Sequence, residues 1–221
     1  VRAFAEGARD AQRLGFDAVE IHGAHGYLID QFFWEGTNQR TDGYGGSMAA
    51  RGRFAVEVIE ACRSEVGSDF PIILRWSQWK QQDFTARLAS TPQLLEAFLQ
   101  PLIDAGVDAF HCSQRRFWEP EFDDSDMNLA GWVKKLTGMP TITVGSVSLD
   151  QDFVSQPSEG DGATSEPASI DRLLEMMDRG DFDLVAVGRA LIANPDWPKV
   201  VRSGDTSGLH AYNKDLLAEL A

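Results

Sequence analysis

Residues 17–47 read DAVEIHGAHGYLIDQFFWEGTNQRTDGYGGS. The stretch opens as a strand, because Val19 and Ile21 alternate with Glu20 and His22 at period two. It leaves that strand through a polar loop in which His22, His25 and Tyr27 fall within six residues, around Gly23 and Gly26. Two imidazoles and a phenol at a strand exit form a cluster able to grip a carbonyl or phenolate oxygen and to deliver a proton. A strand with its chemistry at the C-terminal end is the unit from which the rest of the chain is read.

The same unit recurs. Apolar strand-like runs lie at 17–22, 71–76 (PIILRW), 107–113 (VDAFHCS), 140–145 (PTITVG) and 182–188 (FDLVAVG). Helical patterns separate them. Phe4, Ala8, Ala11 and Leu14 share a face over 1–14, and residues 50–66, 92–104, 129–136 and 169–180 repeat the amphipathic spacing. Each of LGFDAVEI, AGVDAFHC and RGDFDLVAV places a helix-ending glycine just before a strand. Strands alternating with helices mean parallel βα units, which suit a doubly wound sheet or a (β/α)8 barrel. Functional-looking residues arbitrate, because they end all five strands: His22, Arg75, Cys112 with Ser113, Gly145 with Ser146, and Gly188 with Arg189. Barrels build their sites this way, and no G-x-G-x-x-G follows any strand. The fold expected is α/β, a partial (β/α)8 TIM barrel with about five of eight βα units. Its N-terminal strands would lie upstream of Val1, which starts inside a helical pattern. Residues 1–221 read as a single domain, with a polar, acidic excursion at 148–168.

Composition narrows the function. The 43% apolar and 24% charged residues are ordinary for a globular protein. A net charge of −14 disfavours nucleic acid and anionic membrane as partners. No run approaches the ~20 apolar residues of a membrane span. Cys62 and Cys112 read as two buried thiols in a reducing cytoplasm. They are too few for a zinc or iron–sulfur site, and His22-x-x-His25 lacks further ligands at metal spacing, so no metal is expected.

The other chemistry lies downstream. TITVGS (141–146) and LVAVGR (184–189) end successive strands alike, each offering backbone amides at a glycine. Barrels often build a phosphate site from their last two βα loops and a short extra helix, which RALIANPDW supplies with Arg189 at its start. Arg75 ends an apolar strand, so its desolvated cation calls for either a structural carboxylate or an anionic ligand. Trp34, Trp76, Trp79, Trp118, Phe117 and Phe122 fall after strands, as flat walls for a planar ligand or as loop packing. Asn38, Arg40, Thr41 and Asp42 read as loop support. Arg115 and Arg116 read as a solvated surface pair ahead of the alternative, a site for an anionic substrate or a nicotinamide dinucleotide phosphate.

The 17–47 stretch resembles, nearly letter for letter, the signature of the Old Yellow Enzyme family of flavin-dependent ene-reductases, most specifically through TNQRTDGYGGS. Residues 182–197 resemble it too. The resemblance implies FMN as cofactor, NADH or NADPH as reductant, and a small-molecule enone or related compound as substrate. It implies that Arg75 faces the flavin ring and that Gly145, Ser146, Gly188 and Arg189 hold its phosphate. Many relatives have glycine where Ser146 stands. By the same resemblance His22 and His25 bind the substrate carbonyl and Tyr27 gives the proton, while Phe117 and Trp118 are expected to bind substrate as aromatic walls. The enzyme would need the missing N-terminal barrel half, and a homo-oligomer is compatible with the sequence. The rivals are a catalytically inactive barrel fragment and a phosphate-binding isomerase or aldolase. The latter should carry a Schiff-base Lys or paired carboxylates at strand ends, and the sequence presents neither.

Overall fold

A computed structural model describes residues 1–152 and 164–218. The middle of the 148–168 excursion lies outside the described residues. Five strands, β1 (Val19–His25), β2 (Ile72–Lys80), β3 (Ala109–Ser113), β4 (Thr141–Val144) and β5 (Leu184–Val185), form one sheet in the order 1-2-3-4-5. Every neighbouring pair is parallel. Each crossover carries a helix: α2 (Leu28–Phe33) and α3 (Met48–Val66), then α4 (Pro92–Asp104), α5 (Leu129–Thr137) and α6 (Asp171–Asp178). Helix α1 (Arg2–Arg13) precedes the sheet, and α7 (Arg189–Ala193) and α8 (Trp197–Ser203) follow it. A doubly wound sheet reverses its order at a switch point. This one steps in a single direction, as a barrel does.

The helices start where the sequence supplies caps. Ser47, Thr91 and Asn128 accept from the amides of Ala50, Leu94 and Gly131. Gly15, Gly106 and Gly180, the helix-ending glycines, all take left-handed φ. One face of the sheet packs on the helices. Leu74, Trp76 and Phe110 meet Ile59 of α3, Leu99 of α4 and Val133 of α5, all essentially inaccessible. In α1 the buried residues are Ala5 and Ala8, whereas Leu14, expected on that face, is 78% exposed.

The opposite face carries the polar chemistry. His22 pairs in register with Arg75, Arg75 with His111, His111 with Ile142 and Ile142 with Leu184, so these five form one row across the sheet. A barrel points this face inward.

Two elements depart from the expected boundaries. Strand β2 runs four residues past Trp76, because the polar side chains there bond internally: Ser77 Oγ accepts the His25 N–H at 3.0 Å, and Gln78 Nε2 donates to the Ala89 carbonyl at 2.7 Å. Helix α2 forms inside the loop after β1, with no side-chain cap at its N-terminal Tyr27. In the 148–168 stretch, the described arms pair antiparallel at Leu149 and Pro167, and Ser165 bridges Tyr212.

Candidate active site

The strand exits converge on a cavity of about 440 Å³. His25 from β1, Arg75 from β2, Ser113 from β3, Gly145 and Ser146 after β4, and Arg189 opening α7 all line it. Trp79, Gln81, Phe84, Gln114, Arg115 and Val144 complete its wall. Five of the sequence-derived site residues thus meet in one cavity.

The histidine cluster forms at its β1 side. The His22 ring lies 5.4 Å from that of His25 and 5.3 Å from that of Tyr27, centroid to centroid. His25 stacks on Trp79 at 4.5 Å, and its Nε2 is 2.7 Å from Ser113 Oγ. The Trp79 indole N–H donates to the Ser113 carbonyl at 3.1 Å, closing the arrangement. Burial, with Arg75, His22 and Lys80 nearby, pulls His25 down to about 3. Burial and Arg75 also lower His22. Both imidazoles are therefore neutral near pH 7, donors through one N–H rather than cations. Tyr27 is exposed, and among the described residues its hydroxyl has no hydrogen-bond partner.

Arg75 makes no hydrogen bond and no ion pair with any described residue, and its Nε is buried without a partner. A structural ion pair is thereby ruled out among the described residues. Glu20 takes His111 instead, Oε2 to Nδ1 at 2.7 Å. Burial would raise Glu20, but the His111 bond and the charges of His111 and Arg75 outweigh it and hold the carboxyl low. Burial lowers Arg75 itself. A desolvated cation without a partner calls for an anion from outside the chain.

The far side of the cavity has the same need. Arg189 is half-buried and donates only to neutral groups among the described residues: Ser165 Oγ at 2.8 Å, Gln151 O at 2.8 Å and Ser146 Oγ at 3.2 Å. Gly145 has φ +145°, and a Cβ there would lie 2.6 Å from the Gln114 carbonyl oxygen. Ser146 adopts φ +49°, a left-handed conformation that glycine takes more readily than a residue with a side chain. Its hydroxyl donates to the carbonyls of Arg115 and Gln151, which holds the strained turn. Gly188, the N-cap of α7, has open space where a side chain would stand, though it does not line the cavity. An orphaned guanidinium, a half-buried second one and a glycine cradle fit a planar anionic ring with a phosphate tail.

The other aromatic residues lie elsewhere. Phe117 and Trp118 line a separate cavity of about 470 Å³ with Leu149, Ala168 and Arg172, which shares Ser146 with the first. Trp76 is buried in the helix-side core against Phe98. Trp79 and Phe84 supply the flat walls instead. Arg115 and Arg116 are half-buried rather than solvated, 2.7 and 3.1 Å from Asp152, and Arg115 lies 4.5 Å over the Phe84 ring. Cys112 points into the core, and burial raises both cysteine thiols. Lys80 ends β2, contrary to the expectation of no lysine at a strand end. It is wholly buried against Asp30 and does not reach the cavity, so it offers no amine for a Schiff base. Sequence reading misses the Glu20–His111 and Lys80–Asp30 pairs, because their partners are 91 and 50 residues apart. Among the described residues no helix is long and apolar enough to cross a membrane.

Known proteins carry the same architecture. A structure of an old yellow enzyme homologue from Zymomonas mobilis superposes with a TM-score of 0.71 at 23% identity, over 96% of this chain and 53% of that one. It shares the TIM-barrel fold. The NADH oxidase of Thermoanaerobacter brockii is 34% identical over 212 residues, which is 92% of this chain and 29% of that protein. The 12-oxophytodienoate reductase 2 of Arabidopsis thaliana is 34% identical over 215 residues, covering 97% and 50%. The chain thus spans half or less of the length of these two relatives. The family model for NADH:flavin oxidoreductase / NADH oxidase matches residues 1–207, and the chain belongs to that family.

Proposed function

We propose that this chain is the site-bearing part of an FMN-dependent oxidoreductase that uses NADH or NADPH to reduce the C=C bond of α,β-unsaturated carbonyl compounds. The observation that carries the reading is the pair of guanidinium groups in one cavity, Arg75 and Arg189, neither paired with a carboxylate among the described residues. Arg75 would face the electron-rich edge of the flavin ring, where a fixed cation stabilises developing negative charge. Arg189, with the amides at Gly145 and Ser146, would hold the phosphate, while Gly188, outside the cavity lining, opens the helix that carries Arg189. When bound, FMN supplies the hydride.

The rest is done by this chain's side chains. His22 and neutral His25 grip the substrate carbonyl oxygen and draw electron density from the conjugated bond. His25 Nε2 lies 2.7 Å from Ser113 Oγ, and in the tautomer where that hydroxyl donates, His25 keeps its Nδ1–H for the carbonyl oxygen. Tyr27 then protonates the α-carbon. Trp79 and Phe84 flank the planar substrate. Phe117 and Trp118, which line the neighbouring cavity, are assigned no contact with the substrate. In this reading residues 1–221 form one domain, completed into a barrel by further strands.

Purified full-length protein should show the visible absorption bands of an oxidised flavin and lose them on mixing with a reduced nicotinamide. Adding an enone should restore them. A preparation that stays colourless after incubation with FMN would overturn the proposal.

A further inference from the structure

Where β2 ends, the chain buries an ion pair completely. The Lys80 ammonium lies 2.7 Å from Asp30 Oδ1 and donates to the Ser77 carbonyl at 2.8 Å, and both side chains are inaccessible. Burial pushes Asp30 up and Lys80 down, and each charge opposes the other's shift. Taking two charges out of water costs so much that such a pair is a poor stabiliser; an apolar pair of similar volume often does as well or better. The second carboxylate oxygen accounts for the arrangement. Asp30 Oδ2 accepts the Gly26 N–H at 2.7 Å. Lys80 is the register partner of His25, beyond an irregularity in the β1–β2 pairing. One carboxylate, anchored to β2, therefore holds the backbone between His25 and Tyr27.

That turn needs holding. His25 has φ +63° and Gly26 φ +82°, so two successive residues are left-handed, and one of them bears a side chain. Such conformations persist where the surroundings over-determine them.

We propose that Asp30 and Lys80 are positioning residues: their ion pair fixes the His25–Gly26–Tyr27 turn, and through it the place of the Tyr27 hydroxyl relative to His22 and His25. The inference rests on the ene-reductase reading above, in which Tyr27 gives the proton. Both carboxylate oxygens act as acceptors, one for an ammonium and one for an amide. The change Asp30→Asn keeps one acceptor and turns the other into a donor, so the new NH2 would oppose either Lys80 or the Gly26 amide.

The test uses full-length, flavin-loaded protein carrying Asp30→Asn, or Asp30→Asn with Lys80→Met. The double variant leaves no unpaired buried charge and so remains informative if the single one does not fold. Flavin content and melting temperature are measured first. Reoxidation of the reduced protein is then followed with 2-cyclohexenone and with a quinone. Both acceptors are reduced by two electrons, with protons taken up. The enone takes a proton on carbon, from Tyr27, whereas the quinone takes its protons on oxygen. The double variant should melt above the single one and hold flavin at the parent level. Enone reoxidation should slow roughly 10-fold or more in each folded variant, as misplacement by an ångström can cost ~10²-fold, with quinone reoxidation close to the parent. Equal slowing with both acceptors, or enone reoxidation at the parent rate, would overturn the positioning role. If Tyr27→Phe alone reoxidises with the enone at the parent rate, the underlying reading fails instead, whatever the ion-pair variants do.

Discussion

At the scale of single residues the site separates by the kind of partner each side chain lacks. Among the described residues Arg75 has no ion-pair partner, and the exposed Tyr27 hydroxyl has no hydrogen-bond partner. Tyr27→Phe should therefore leave reduction of the flavin by nicotinamide near normal and slow its reoxidation by a simple enone about 10²-fold or more, measured by stopped-flow absorbance. Equal rates in parent and variant would remove Tyr27 from the chemistry. His25 bears on stability as well. It is neutral when folded and titrates near 3, against 6.5 in an unfolded chain. Stability is thus fully present above about pH 6.5 and falls as the pH drops toward 3, by at most ~1.4 kcal/mol per pH unit for this one proton. His25→Asn should flatten that acid limb in urea melts taken at pH 4, 5, 6 and 7. These residues are legible in the sequence because their types are improbable together on one strand exit. Trp79 does not stand out there from Trp34, Trp76 and Trp118, since which indole faces the cavity depends on where β2 stops. Their place after a strand makes substrate walls of Phe117 and Trp118, yet they line the neighbouring cavity, which shares Ser146 with the site.

Among the elements, strand order and helix spacing follow from periodicity, and the boundaries do not. Strand β2 outruns its apolar segment because its last residues are polar groups satisfied inside the fold. Gln78 shows how. Its Oε1 accepts the amides of Leu88 and Ala89, and its Nε2 donates to Glu121 at 2.9 Å. Periodicity does not register such bonds. The TNQRTDGYGGS loop, read as support, is organised around Asn38, whose Nδ2 donates to the carbonyls of Phe32 and Tyr44 at 2.7 Å each. Glu121 joins β2 to the neighbouring loop through Gln78 and Arg87. Burial lifts its carboxyl to about 7, with Arg87 opposing, from 4.5 in an unfolded chain. A carboxyl raised on folding adds stability below pH 4.5 that is lost as the pH climbs through 7. Glu121→Gln should therefore gain on the parent across that window, by at most about 3 kcal/mol, and the gap should stop widening above about pH 7. Denaturant melts at pH 4.5 and 8 check this; a gap that does not change with pH would mean that Glu121 stays ionised throughout.

For the whole molecule, the helices cover one face of five parallel strands, and the other face bears the His22–Arg75–His111 row. Both β1 and β5 present an edge with no neighbour among the described residues. Unpaired parallel edges invite association. Residues 1–221 expressed alone should sediment as oligomers or aggregate, hold little flavin and reduce no enone. A monodisperse monomer with stoichiometric flavin would contradict this. The burial of Lys80 has a further consequence for how the molecule opens. Lys135, Lys199 and Lys214 stand in solvent, and an amine-acylating reagent reaches them at once. Lys80 can be acylated only while the end of β2 is parted from α2, so its labelling rate clocks that local opening in the native protein. A ligand seated on His25 should slow that clock and leave the surface lysines unchanged.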